Sequence, residues 1–189
     1  VDELIRSFLA VEVPADVRAE VARLLGSLRG KPGPGVRWVK PDVMHLTLVF
    51  LGEVPAGFVR SADERLAQAL PPLPAFRCRL AGLGAFPNPN RARVAWVGVD
   101  TGRDELVALQ RTASAALARI GYQPERRPFS PHLTLGRLRE PGDVATLVAG
   151  PFQSTEFGVE RVVLFRSVLR PQGPEYTELH EYRLAGPVA

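Results

Sequence analysis

Met44-His45-Leu46-Thr47-Leu48 returns later in the chain as Pro131-His132-Leu133-Thr134-Leu135. The two histidines are 87 residues apart (132 − 45) in a chain of 189. Each copy predicts a short strand. Leu46, Leu48 and Phe50 alternate with His45, Thr47 and Val49, and Leu133 and Leu135 alternate with His132 and Thr134. Residues two apart on a strand share a face, about 6–7 Å from each other. Each copy therefore sets one imidazole and one hydroxyl on one face, with leucines behind them.

Working outward from the first copy, Ile5 to Val13 predicts a strand. Pro14 opens a helix that places Val17, Val21, Leu24, Leu25 and Leu28 on one face. Gly30 and Pro32 end it. Lys31–Gly35 is a loop, and Val36-Arg37-Trp38-Val39 a short strand before Pro41-Asp42. The first His strand is expected to end at Gly52. A helix over Pro55 to Leu70 follows, broken by Pro71-Pro72-Leu73-Pro74.

Around the second copy, Phe76 to Leu83 and Ala92 to Val99 predict a hairpin across the turn residues Pro87-Asn88-Pro89-Asn90. The next helix has Leu106, Leu109, Ala113, Leu117 and Ile120 on its apolar side and Gly121 as a C-cap candidate. The second His strand runs from His132 to about Leu138, with a short helix around Asp143–Ala149. Three strands close the chain, at Ser154–Val159, Arg161–Ser167 and Tyr176–Leu184.

The arrangement repeats. Ala10-Val11-Glu12-Val13, a helix and a loop lead to His45; Trp96-Val97-Gly98-Val99, a helix and a loop lead to His132. Val13 to His45 spans 32 positions (45 − 13) and Val99 to His132 spans 33 (132 − 99). The expected fold is α+β and bilobal: two antiparallel sheets face each other across a central cleft, helices lie outside, and a pseudo-twofold axis relates the halves. Residues 1–189 read as a single two-lobed domain.

At 46% hydrophobic and 23% charged residues, the chain has globular composition. A net charge of +4 is too small to establish nucleic-acid binding alone. Lys31 and Lys40 are the only lysines; every other base is arginine, whose planar fork fits phosphate oxygens. Cys78 is the only cysteine, so no internal disulfide forms, and a reducing, cytoplasmic setting is expected. No apolar run approaches the ~20 residues of a membrane span, and Val1-Asp2-Glu3-Leu4 lacks a signal-peptide pattern.

Two imidazoles and two hydroxyls in one cleft suit a phosphodiester without a metal. His45, His132 and His180 are the histidines a metal site would draw on, but neither motif carries the nearby carboxylate or cysteine of common zinc spacings. His180 alternates with Glu178 and Tyr182 and reads as a surface residue. There is no Gly-x-Ser-x-Gly and no glycine-rich phosphate cradle. Strict alternation puts Phe50 and Arg137 on the face opposite the histidines. Phe50 then packs in the core or stacks on a base. Gly136 permits a bulge that would re-aim Arg137 into the cleft.

At these residues the chain resembles the two-histidine phosphoesterases, which are defined by paired His-x-Thr motifs. Within them it looks most like the RNA 2′,3′-cyclic phosphodiesterases, or 2′-5′ RNA ligase-like proteins. The likeness rests on Val36–Val54, Gly82–Phe86, Arg127–Leu135, Arg161–Ser167 and Tyr176-Thr177-Glu178-Leu179. It implies opening of a 2′,3′-cyclic phosphate at an RNA end to leave a 2′-phosphate, with no metal and no cofactor. It implies His45 as proton donor and His132 as proton acceptor, Thr47 and Thr134 on phosphate oxygens, Arg137 near the phosphate and Phe50 near the terminal base. The expected partner is a single-stranded RNA 3′ end, and the expected state a monomer. Two other readings stand beside this one: a phosphodiesterase for another small cyclic phosphate or a 2′-5′ oligonucleotide, and an RNA-binding module without turnover.

Overall fold

Pro14, with φ near −60°, stands between the first strand and the first helix. In the computed structural model, which describes residues 3–188, β1 is Leu4–Glu12 and α1 is Ala15–Arg29. Val1 and Asp2 of the acidic start lie outside the described residues. Pro14 is the cap residue rather than the first helical one. Of the apolar face of α1, Val17, Val21, Leu25 and Leu28 are buried and Leu24 is half covered.

β2 (Val36–Trp38) and a 3₁₀ turn at Pro41–Val43 lead into β3 (His45–Pro55), which runs three residues past Gly52. α2 (Ala56–Ala69) follows at once. The single strand expected over Phe76 to Leu83 is instead two: β4 (Phe76–Cys78) and β5 (Leu80–Phe86). The break falls at Arg79. Its backbone pairs with Asp100 and Thr101, and its guanidinium grips the Asp100 carboxylate at 3.0 and 2.9 Å. β5 continues into the expected hairpin with β6 (Ala92–Val99), whereas β4 turns away to pair with β8 (Phe157–Val159). α3 (Arg103–Ala118), β7 (His132–Gly142), α4 (Ala145–Val148), β9 (Arg161–Arg170) and β10 (Gly173–Arg183) complete the chain. The strand expected from Ser154 begins only at Phe157, and α4 is shorter than the segment expected to form it.

The main sheet has the order β10-β9-β1-β3-β7-β6-β5, with β2 beside β7 and every pairing antiparallel. It is two four-stranded lobes, β10-β9-β1-β3 and β7-β6-β5 with β2. They meet where Leu46 pairs with Leu133. Beyond that pair β2 takes over the edge of β7, opposite Gly136–Leu138, so β3 and β7 diverge. α1, α2 and α3 cover one side of both lobes. The main core beneath them joins Leu9, Val11, Leu46, Val97, Leu133 and Leu164 to the helices' apolar faces.

Burying a leucine is worth about 1.5–3 kcal/mol, and Leu46 and Leu133 are 1% and 0% exposed. A one-residue slip of either motif strand would turn its leucines outward and drive imidazole and hydroxyl into the core. The leucines thus hold the register that presents His45, Thr47, His132 and Thr134 on the other side. On that side the first lobe carries a separate apolar cluster of Phe8, Ala10, Val163 and Phe165, with Tyr176 packed against it.

Candidate active site

The repeat seen in the sequence is a repeat in register. Ala10, Val11 and Glu12 of β1 pair with Thr47, Leu46 and His45; Trp96, Val97 and Gly98 of β6 pair with Thr134, Leu133 and His132. Antiparallel pairing centred on Leu46 and Leu133 sets His45 across from Thr134 and Thr47 across from His132. Each imidazole therefore neighbours the other lobe's hydroxyl.

Both motif strands then bulge at the same place. β1 pairs Ala10 with Thr47 but Leu9 with Val49, leaving Leu48 extra; β6 pairs Trp96 with Thr134 but Ala95 with Gly136, leaving Leu135 extra. An extra residue shifts the alternation by one. Phe50, paired with Phe8, and Arg137, paired with Val94, come round to the face of the histidines. Strict alternation had put both on the opposite face. For Arg137 the bulge is the one Gly136 signalled; for Phe50 it corrects the expectation. Gly136 has a steric role as well: a Cβ there would lie 2.5 Å from Val36 Cγ1 and 3.1 Å from the Arg37 carbonyl oxygen.

The two imidazoles are held alike. His45 Nδ1 lies 3.0 Å from the Val43 carbonyl oxygen, and His132 Nδ1 lies 2.8 Å from that of Ser130. A carbonyl only accepts, so Nδ1 carries the hydrogen in each neutral ring and Nε2 is left with its lone pair. Burial lowers the pKa of His45 to about 4, against the raising effect of the Val43 carbonyl. Burial also lowers that of His132; the Ser130 carbonyl opposes the shift and the Arg137 charge adds to it.

Aromatic rings contribute to the burial of both imidazoles. Phe8 lies nearly flat against the His45 ring, with centroids 4.6 Å apart, and Tyr176 meets it edge-on at 5.2 Å. His132 has Phe86 edge-on at 5.0 Å and no ring laid flat on it among the described residues. Burial thus favours neutral His45 near pH 7. A bound anion favours the charged form and pulls both pKa values back up.

The cleft has a volume of about 820 Å³, and His45, Thr47, His132, Thr134 and Arg137 all line it. No side-chain partner satisfies the Thr47 or Thr134 hydroxyl among the described residues, which leaves both for a ligand. Phe50 stands on the same face but outside this lining. It is 43% exposed, with the Arg6 guanidinium 4.6 Å from its ring centroid. His180 is on the helix side of β10, paired in register with Leu164 and 3.3 Å from Asp63 of α2, away from the cleft. No three His, Cys, Asp or Glu side chains gather around a common point among the described residues.

Sequence reasoning missed Phe8, Tyr176 and Arg37. Phe8 sits in the apolar run Phe8-Leu9-Ala10-Val11, and a strand apolar on both faces is the signal that both are covered. Tyr176 and Arg37 reach the cleft through pairings distant in sequence.

The pattern of LigT-like phosphoesterases matches residues 11–96 and again 97–176, one His-x-Thr motif in each match. The chain belongs to the LigT-like phosphoesterase family. It is 35% identical over 185 residues to the RNA 2′,3′-cyclic phosphodiesterase of Methanothermobacter thermautotrophicus, covering 95% of this chain and 99% of that one. It is 34% identical over 180 residues to the protein of the same name from Archaeoglobus fulgidus, covering 94% and 99%. Among solved structures, E. coli LigT complexed with 3′-AMP superposes with a TM-score of 0.81 at 26% identity, covering 97% of this chain and all of that one. A Thermus thermophilus structure gives 0.78 at 31% identity, covering 95% and 97%. Two matches, divided between Trp96 and Val97, make this LigT-like chain a tandem of one unit, as its strand registers also do.

Proposed function

We propose that this LigT-like phosphoesterase hydrolyses RNA 2′,3′-cyclic phosphate ends to 2′-phosphate ends by paired-histidine acid–base chemistry. The observation that carries the reading is the symmetric presentation of two Nε2 atoms, each backed by a carbonyl at Nδ1 and flanked by an unpaired threonine hydroxyl. The names of the relatives and the nucleotide held by the E. coli protein support the substrate class.

Breaking the P–O3′ bond with water needs a base for the water and an acid for the leaving oxygen. Each such transfer is worth typically 10²–10⁴-fold. His132 takes the proton from water, and His45 gives one to O3′. Burial makes a proton on His45 costly, so the substrate's negative charge holds it there until O3′ takes it. Thr47 and Thr134 donate to the non-bridging oxygens, and Arg137 neutralises the phosphate. Phe50, with one face on Arg6, offers the other to the terminal base, which requires a single-stranded end. We read the chain as one two-lobed domain acting as a monomer in the cytoplasm.

The test is incubation with an RNA ending in a 2′,3′-cyclic phosphate, with and without excess chelator, followed by end-group analysis. A 2′-phosphate formed equally in both is expected. A 3′-phosphate, an unchanged end, or activity lost to the chelator and restored by one divalent ion would overturn the reading.

A further inference from the structure

Arg37 is paired directly with Arg137 between β2 and β7. Cross-strand partners share a face, and like charges placed opposite each other destabilise a sheet. Arg137 is on the cleft face by its pairing with Val94, so Arg37 is there too, and both line the cleft with Lys40. Among the described residues no carboxylate forms an ion pair with any of the three. The acids lining the cleft are Asp42 and Glu175, and Glu175 is taken by Arg170 at 3.2 Å. The pairing is also sterically built: a side chain at Gly136 would collide with Val36 and press on the Arg37 carbonyl, so a glycine lets β2 close on β7. A cyclic phosphodiester carries a single negative charge. Arg137 alone balances it, which leaves Arg37 and Lys40 in the cleft with no ion pair among the described residues, against the single lining carboxylate, Asp42, that is not already taken.

We propose that Arg37 and Lys40 form a second anion subsite beside the reacting phosphate, and that it holds the phosphodiester on the 5′ side of the terminal nucleotide. This rests on the RNA-end reading above. The subsite makes the enzyme a reader of strands: the end of an RNA chain fills it, and an isolated nucleoside cyclic phosphate does not.

The experiment compares kcat/KM on a nucleoside 2′,3′-cyclic phosphate, the same nucleoside with a 5′-phosphate, and a dinucleotide ending in the cyclic phosphate. The last two are expected to exceed the first by about ten- to a hundredfold at low salt, as for one charged hydrogen bond. Arg37→Gln is expected to remove most of that preference, with Lys40→Gln removing less. The slope of log(kcat/KM) against log salt for the dinucleotide should flatten by about 0.7 for a lost phosphate contact. Equal turnover of the three substrates by the wild type overturns the subsite while the hydrolytic reading stands. So does a preference that survives Arg37→Gln, or a loss shared equally by all three substrates.

Binding of a nucleoside 2′-phosphate and of a dinucleotide ending in a 2′-phosphate, measured by calorimetry, decides the question without turnover. Tighter binding of the dinucleotide that Arg37→Gln abolishes supports the subsite even for a protein that hydrolyses none of the substrates. Equal binding overturns it.

Discussion

His45 is the group through which acidity should act on the fold. It titrates at about 4 in the folded chain and at about 6.5 in an unfolded one. Between those values the unfolded chain binds a proton that the folded chain refuses, so stability falls as pH falls. The contribution is intact above pH 6.5 and exhausted below pH 4. It amounts to a loss of ~2 kcal/mol by pH 5 and ~3 kcal/mol by pH 4, relative to pH 7. His45→Phe removes the titration and keeps a ring against Phe8. His132, depressed in the same direction, and carboxylates such as Asp100, held down by the Arg79 guanidinium, are common to both proteins and cancel in the comparison. Urea unfolding at pH 7, 5 and 4, followed by the fluorescence of Trp38 and Trp96, gives the two stability curves. The wild type should lose ~3 kcal/mol more than the variant between pH 7 and pH 4. Parallel curves would show that the Phe8–Tyr176 enclosure does not keep His45 neutral.

Four further outcomes are expected. Replacing His45 or His132 by Ala should cost several orders of magnitude in kcat. Thr47→Ala or Thr134→Ala should cost about one to two orders, the loss of one charged hydrogen bond; threonine variants as inactive as the histidine ones, with circular dichroism unchanged, would refute the assignment of roles. A cyclic substrate with sulfur in place of O3′ expels a thiolate that needs no proton, so it should rescue His45→Ala and not His132→Ala in single-turnover assays. Phe50→Ala should raise KM for a single-stranded end with little change in kcat; equal KM values for the two proteins would remove the base from Phe50.

The motif strands, α1, α3 and the strand–helix–strand repeat are legible because each rests on local periodicity. The leucines of both motifs announce which face is core, and the even spacing to His45 and His132 announces the pairing of lobes. What the periodicity hides is the point where it breaks. At Leu135 the following glycine marks the bulge; at Leu48 the following residue is Val49, and nothing local distinguishes it from regular strand. Alternation therefore misplaces both Phe50 and Arg137, and only for Arg137 does a neighbouring residue, Gly136, signal the correction. The division of β4 from β5 depends on Arg79 meeting Asp100, and the cleft positions of Tyr176 and Arg37 depend on strand pairings across the fold. No window of neighbouring residues contains those contacts.

The axis through Leu46 and Leu133 passes between the halves, so the reactive centre is the property of neither. A polypeptide of half this length, with one His-x-Thr strand, would hold one proton-transfer group and lack the other. It could complete the constellation only by pairing with a copy of itself about that same axis, where Leu46 would meet its own counterpart. Tethering the copies in one chain releases them from identity. Strands from both halves then build two unlike lobes: Phe8 and Tyr176 enclose the imidazole of one, and Arg37 meets Arg137 in the other, a difference that no symmetric dimer of identical chains could reach.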